Sequence, residues 1–301
     1  MAGQGTKILA SDYNVVQSAV ATVLGTGSGT LGYGQTVNSS QIVGSPIITA
    51  AQWNNLLTDI TNAYLHQGSP GNLSVPSAPV AGTTKVTAAD YSKCLALSNA
   101  ITTNANITPP VGQASLTTLT TGIRTTAWNG TITHTVTLTF STAQTARFFF
   151  NSGGQLRIAA SLTGYPTDGS YAKDQDWNML LANMGTITMN YNSCACSGSY
   201  NILTSDIGFY QLTTSQTNIF RKSTSSPTYT PNRYDIFANV DSVSAPRILT
   251  LQIQFEDLSA PGGYYGIDEN IEGTLSSVVQ AYYATGSNVS VSLPSVTDTM
   301  T

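Results

Sequence analysis

Carboxylates are the first residues in this chain whose types and spacing suggest chemistry. Asp174 and Asp176 stand two positions apart, and Asp268, Glu269 and Glu272 crowd into the stretch GIDENIEG, residues 266–273. Several carboxylates close together offer the hard oxygen ligands that hold Ca²⁺. Two carboxyl groups across a cleft are the machinery of a glycosidase. The acidic stretch does not follow the spacing of a helix–loop–helix calcium site, and nothing pairs the aspartates as acid and base. A solvated loop, or salt bridges to a neighbouring subunit, is the simpler reading.

The remaining reactive side chains are few. Of the two histidines, His66 falls near the end of a predicted helix, and His134 is expected on the strand face opposite Val136 and Leu138. A nucleophilic site needs a histidine held by a partner, and no spacing pins either one. Cys194 and Cys196 could lie on one face of a strand, but a structural zinc needs four ligands, so free buried thiols are expected. The glycines of GTGSGTLGYG, residues 25–34, follow a helical pattern and lack the Gly-Lys-Ser/Thr of a phosphate loop. They are expected to form a flexible interhelical loop. No catalytic, metal or cofactor residue is assigned, and the chain is expected not to be an enzyme.

These residues must be positioned by two kinds of element. ILASDYN (residues 8–14), ITAAQWN (48–54) and VTAADYS (86–92) form a repeat. Thr49 with Gln52, and Thr87 with Asp90, have the spacing of a capping box. In the first copy Leu9 cannot cap, which leaves Ser11 as the expected cap. Apolar residues follow each start at helical spacing, for example Leu56, Leu57, Ile60, Ala63 and Tyr64. Three short helices are predicted, with Tyr13, Trp53 and Tyr91 in their first turns and Gly25 and Gly68 closing the first two.

Beyond the Pro109-Pro110 break the period changes from 3.6 to 2. THTVTLTF (133–140), RFFFN (147–151), QLRIAASL (155–162), GTITMNY, RILTLQIQFED and NVSVSL (288–293) read as antiparallel strands. DWNMLLANM (176–184) reads as one inserted helix. Ser152-Gly153-Gly154 would then be the turn of a hairpin.

Composition narrows the function classes. Charged residues make up 9% of 301 residues, while 41% are apolar, with 15 Tyr and 8 Phe. Such a chain can form a core, and its polarity comes from hydroxyls and amides, which cost less to bury than ammonium groups. That suits a subunit of an assembly. Five Lys and six Arg are scattered in a chain of net charge −4, so no nucleic-acid partner is expected. No apolar run is long enough for a membrane span, and the start, MAGQGTKILASDYN, is not expected to be an export signal.

The series ILASDYN, ITAAQWNNL, RFFFNSGGQLRI, DWNMLLANMGTI and IDENIEG resembles, in order, structural proteins of tailed bacteriophages, nearest to those of cyanophages and related marine phages. The resemblance implies a non-enzymatic component of the virion, assembled in the host cytoplasm, in a tail, baseplate, fibre or neck region. Its expected partners are other virion proteins and copies of itself, with a homotrimer by analogy with fibres. The alternative is a receptor- or carbohydrate-binding module that meets a host surface glycan.

The expected fold is α+β and mainly β. A helical region (residues 1–110) precedes an antiparallel β-sandwich with one inserted helix (111–301). Candidate interface residues are Tyr13, Trp53, Tyr91 and the tyrosine pairs Tyr264, Tyr265 and Tyr282, Tyr283. Tyrosine buries a large ring while its hydroxyl still finds a partner.

Overall fold

The computed structural model describes residues 7–44, 47–166, 172–199, 202–259 and 269–301. Among these residues the chain forms five α-helices and eleven strands in two antiparallel sheets, an α+β fold that is mainly β. It divides into two compact units. The first comprises Met1–Ser115, Arg147–Gly154 and Tyr283–Ser292, and the second the remainder. A division at residue 110 assigns the two later segments of the first unit to the sandwich.

The first unit is built on α1 (Ala10–Leu24), α2 (Ala50–His66) and α3 (Ala88–Thr103). The predicted boxes form at α2 and α3. Thr49 Oγ1 accepts from Gln52 N, while Gln52 Oε1 accepts from Thr49 N. Thr87 and Asp90 exchange the same two bonds. At α1 the cap is Leu9, and Ser11 lies inside the helix. Only half a box forms there: Asp12 accepts from Leu9 N at 2.9 Å, and Leu9 has no acceptor to return. The structure therefore moves the start two residues earlier than a Ser11 cap would place it.

The three first-turn aromatics are core. Tyr13, Trp53 and Tyr91 are all buried, with the Tyr13 and Trp53 rings edge to face at 5.4 Å. They join Val16, Val20, Leu56, Ile60, Leu97 and Ile101 in one apolar cluster. Because that packing consumes their surfaces, the expectation that these three rings form an interface is corrected. Gly68 closes α2 in the left-handed conformation, φ 75°. Ser69 N donates to Tyr64 O and Gly68 N to Leu65 O, the Schellman pattern.

The glycine-rich stretch after α1 is pinned rather than loose. Tyr33 is buried; its hydroxyl donates to Ala105 O at 2.5 Å and accepts from Gln67 Nε2 at 2.8 Å. Further along, Asp59 of α2 accepts from Asn38 N, Asn38 Nδ2 and Ser39 N. Asn14 of α1 exchanges two bonds with the backbone of Ile42.

RFFFN is a helix, not a strand. α4 spans Ala143–Asn151. Ala146, Phe149 and Phe150 are its buried face, at i, i+3 and i+4. Thr142 and Thr145 exchange side-chain-to-backbone bonds at its start. Gly153, φ 80°, ends it: Gly154 N donates to Phe149 O and Gly153 N to Phe150 O. The Gly-Gly pair is therefore a Schellman cap, neither a hairpin turn nor a phosphate cradle. A Cβ at Gly153 would also run into the Ile107 carbonyl. Gly153→Ala is expected to lower stability by about 2 kcal/mol, from left-handed strain and displaced backbone. A urea-denaturation midpoint unchanged from wild type would contradict this.

The segment after Arg147 is tied into the first unit. Arg147 Nη2 donates to Leu31 O, Asn151 Nδ2 to Gly29 O, and His66 Nε2 lies 3.0 Å from Ser152 O. The carbonyl fixes His66 as the Nε2–H tautomer, and burial lowers its pKa to about 4. The folded value lies below the unfolded one, about 6.5. The contribution is therefore whole above pH 6.5 and drains as pH falls toward 4, by about 3 kcal/mol. His66→Gln keeps a donor but does not titrate. Its stability is expected to fall less than that of wild type between pH 7 and pH 4, and parallel losses would sink the assignment.

The second unit is a sandwich. One sheet has the order β1 (Ala114–Arg124), β10 (Thr274–Ala284), β3 (Gln155–Thr163), β4 (Ile187–Met189), β5 (Cys194–Cys196). The other runs β11 (Ser295–Met300), β2 (Thr131–Thr139), β9 (Ile248–Glu256), β8 (Arg233–Val240), β7 (Thr217–Ser223), β6 (Ile202–Thr204). Alternation sets the inner faces. Val136, Leu251 and Ala238 stand side by side across three strands, and Val279 pairs with Ile158 in the other sheet.

The last strand is not NVSVSL. Within that stretch only an isolated bridge at Ser290 forms, and β11 begins after Pro294. β11 pairs with β2, Val296 opposite Leu138. The inserted helix α5 runs Ala172–Met184. Its Trp177 packs against Trp128 at 5.0 Å and Phe255 at 6.4 Å.

Candidate functional site

Asp174 and Asp176 lie in the first turns of α5, and both are buried. Asp174 Oδ1 accepts from Glu272 N at 2.8 Å, and its Oδ2 is buried without a partner. Burial raises its pKa, and the nearby carboxylates of Glu272 and Glu269 raise it further. Both oxygens of Asp176 lie within hydrogen-bond reach of the Thr224 hydroxyl, at 2.6 and 2.7 Å. Burial raises this pKa too. The neighbouring Lys173 is buried as well, and its Nζ reaches Asp257 Oδ2 and Glu269 O, each at 2.8 Å.

This is a buried polar seam, not an open pair of carboxyls. A glycosidase needs both groups free to face a sugar across a cleft, whereas these are enclosed and held by Glu272 N and Thr224. Among the described residues no group of three or more His, Cys, Asp or Glu is placed to hold a metal. Asp268 lies outside the described residues.

A second constellation has the residue types of a hydrolase. His134 Nδ1 is 2.9 Å from Ser277 Oγ, and its Nε2 is 3.2 Å from Asp298 Oδ2. The sequence reading missed it, because 143 and 164 positions separate the partners. It also put His134 on the wrong face. His134 shares the parity of Val136 and Leu138, and all three are buried together between the sheets. Both His134 and Ser277 are 0% exposed. Gly122 of β1 backs onto the ring, and a Cβ there would stand 2.9 Å from it. An acyl group has no path to Ser277 in this arrangement. Burial lowers the His134 pKa, against the opposing pull of Asp298. The trio joins the two sheets and satisfies a buried imidazole.

Cys194 is buried and Cys196 half-buried, with Cys94 buried in the first unit. Burial pushes the thiols of Cys94 and Cys194 up to about 12, which suppresses the thiolate that reacts. A thiol-exchange reagent at pH 8 is expected to label Cys196 well ahead of the other two. Equal labelling of all three would contradict the packing.

Of the candidate interface tyrosines, Tyr264 and Tyr265 lie outside the described residues. Tyr282 is mostly buried with the Arg157 guanidinium 4.3 Å over its ring, and Tyr283 is half-buried. Among the described residues every Trp, Tyr and Phe is buried or half-buried.

The surface feature that no motif announced lies in the first unit. A groove of about 620 Å³ runs past the starts of α2 and α3. Its walls include Ile8, Ile47, Ile48, Trp53, Val80 and Val86. A second hollow of about 330 Å³ shares Trp53, Lys85 and Val86 with it. Nine of the fifteen exposed large apolar side chains among the described residues belong to this unit, which holds fewer than half of the residues. Of these, Ile47 and Val80 line the groove, and exposed apolar side chains gathered in one patch mark interaction surfaces. No helix of the described residues is long and apolar enough to cross a membrane. Compared with protein-family models, curated proteins and solved structures, the chain matches none.

Proposed function

We propose that the protein is a structural, non-enzymatic component of a tailed-phage virion, in the tail apparatus or an appendage. In this reading the helical unit docks onto another virion protein, and the sandwich packs with copies of itself as a homotrimer. The ordered series of segments that resembles such proteins motivates the assignment. The observation that carries it is the groove in the helical unit, whose lining includes the exposed side chains of Ile47 and Val80. The hydroxyl-rich strands agree with packing between subunits. β1, for example, carries exposed Thr118 and Thr121.

Cryo-electron microscopy of intact particles tests the proposal. The expected result is density for this chain in a symmetric ring or spike, with α1–α3 against a tail or neck protein. Particles that lack the chain would refute it.

A further inference from the structure

The groove of the helical unit carries a charge pattern that its apolar walls do not explain. The chain has five lysines. Lys173 and Lys222 are buried. The other three, Lys7, Lys85 and Lys93, are exposed, and all three line the groove or the hollow beside it. Lys7 and Lys85 form no ion pair with any described residue.

The unit's own acids are occupied. Asp12 and Asp90 cap helices, and Asp59 is buried under the loop it holds. Lys7, Lys85, Lys93 and Arg147 outnumber these three carboxylates, so the first unit is positive within a chain of net charge −4. One helix N-terminus adds to the same field. Thr49 and Ala50 at the start of α2 line the groove, and the first turn of α2 carries no acid. The positive end of its dipole therefore favours an anion there.

We infer that this groove receives a segment of a partner protein in which aliphatic side chains sit beside carboxylates. The aliphatic side chains cover Ile47 and Val80, and the carboxylates meet Lys7 and Lys85 at the rim. Basic segments are repelled by the same lysines, which gives the surface a choice of partner as well as an affinity. The inference rests on the docking role proposed above, but its test does not need a particle.

The full chain is panned against a displayed library of random dodecapeptides, and the recovered peptides are titrated into it. Recovered sequences are expected to combine Asp or Glu with Leu, Ile or Val. Their affinity is expected to fall about tenfold in the Lys7→Glu/Lys85→Glu variant and as salt is raised. Ile47→Ser/Val80→Ser should weaken binding without the change in salt dependence. All four positions are on the surface, and thermal melts confirm that the variants fold.

Three outcomes overturn the inference: no enrichment, enrichment of basic sequences, or indifference to both variants. A fourth is a concentration-dependent dimer abolished by Val80→Ser, which would make a second copy the occupant. A chain absent from particles that still selects acidic–aliphatic peptides removes the virion role and leaves this groove its chemistry. A chain present in particles whose groove selects nothing does the reverse.

Discussion

Lys173→Met is expected to destabilise the protein by about 3–5 kcal/mol, the range for breaking one side of a buried ion pair. Lys173 and Asp257 meet at 2.8 Å with side-chain exposures of 3% and 0%. Methionine preserves the length and the apolar stem of lysine but removes its charge. The Asp257 carboxylate keeps one bond, from the Ser259 hydroxyl, and loses its cation in a place water does not reach. The double variant Lys173→Met/Asp257→Leu is expected to recover part of the loss, since an apolar pair carries no desolvation penalty. Urea denaturation of the two variants against wild type decides it. A single-variant loss under about 1 kcal/mol would show that the pair is solvated.

Asp59→Ala is the second large effect, on the order of 4 kcal/mol. One carboxylate accepts three bonds, from Asn38 N at 3.0 Å, Asn38 Nδ2 at 2.7 Å and Ser39 N at 2.7 Å. Hydrogen bonds to a charged group contribute about 1.5–3 kcal/mol each, and a stranded buried N–H costs about 1–3. Both Asp59 and Ser39 are buried, so water cannot easily replace the lost acceptor. Asp59→Asn keeps one oxygen and is expected to lose roughly half as much. Hydrogen exchange at Ser39 N–H gives a local readout. Retained protection in Asp59→Ala would mean that the loop is held by its bonds to α1, from Gln17 Nε2 to Ser39 O, from Gln41 Nε2 to Ser18 Oγ and between Asn14 and Ile42.

The three bundle helices were legible because their evidence is local. A capping residue, its partner three positions on, and apolar spacing of 3.6 all lie within one stretch of chain. Four strands of the sandwich, β2, β3, β4 and β9, were legible for the same reason, with period 2 clearest in β2 and β9; β1, β5, β6, β7, β8 and β10 were not named. α4 was not, because three consecutive phenylalanines carry strand character whichever structure they adopt. The overlooked local sign was Thr142 with Thr145, a reciprocal cap made by two threonines rather than a threonine and a glutamine.

β11 was missed because NVSVSL alternates better than SVTDTM, whereas pairing is decided by the Thr-rich edge of β2 that accepts it. The buried polar groups had no local signature at all. Lys173 in the first turn of a helix reads as a solvated charge, and its partner lies 84 positions away. The same distance problem hid the His134, Ser277 and Asp298 trio. For the groove, the apolar residues were visible singly, but only the fold brings residues 47, 80 and 86 to one wall.

The helical unit is assembled from three separated lengths of chain, the last of which is Tyr283–Ser292. On the ribosome, α1 to α3 emerge long before that segment, which carries Val289 into the bundle's apolar cluster. The unit therefore cannot close until residue 292 has been synthesised. Synthesis delivers chains domain by domain in most proteins. Here it withholds a finished helical unit until the sandwich strands β1–β10 have also been translated. A chain that stops before Tyr283 would leave the bundle's apolar cluster without Ala284 and Val289.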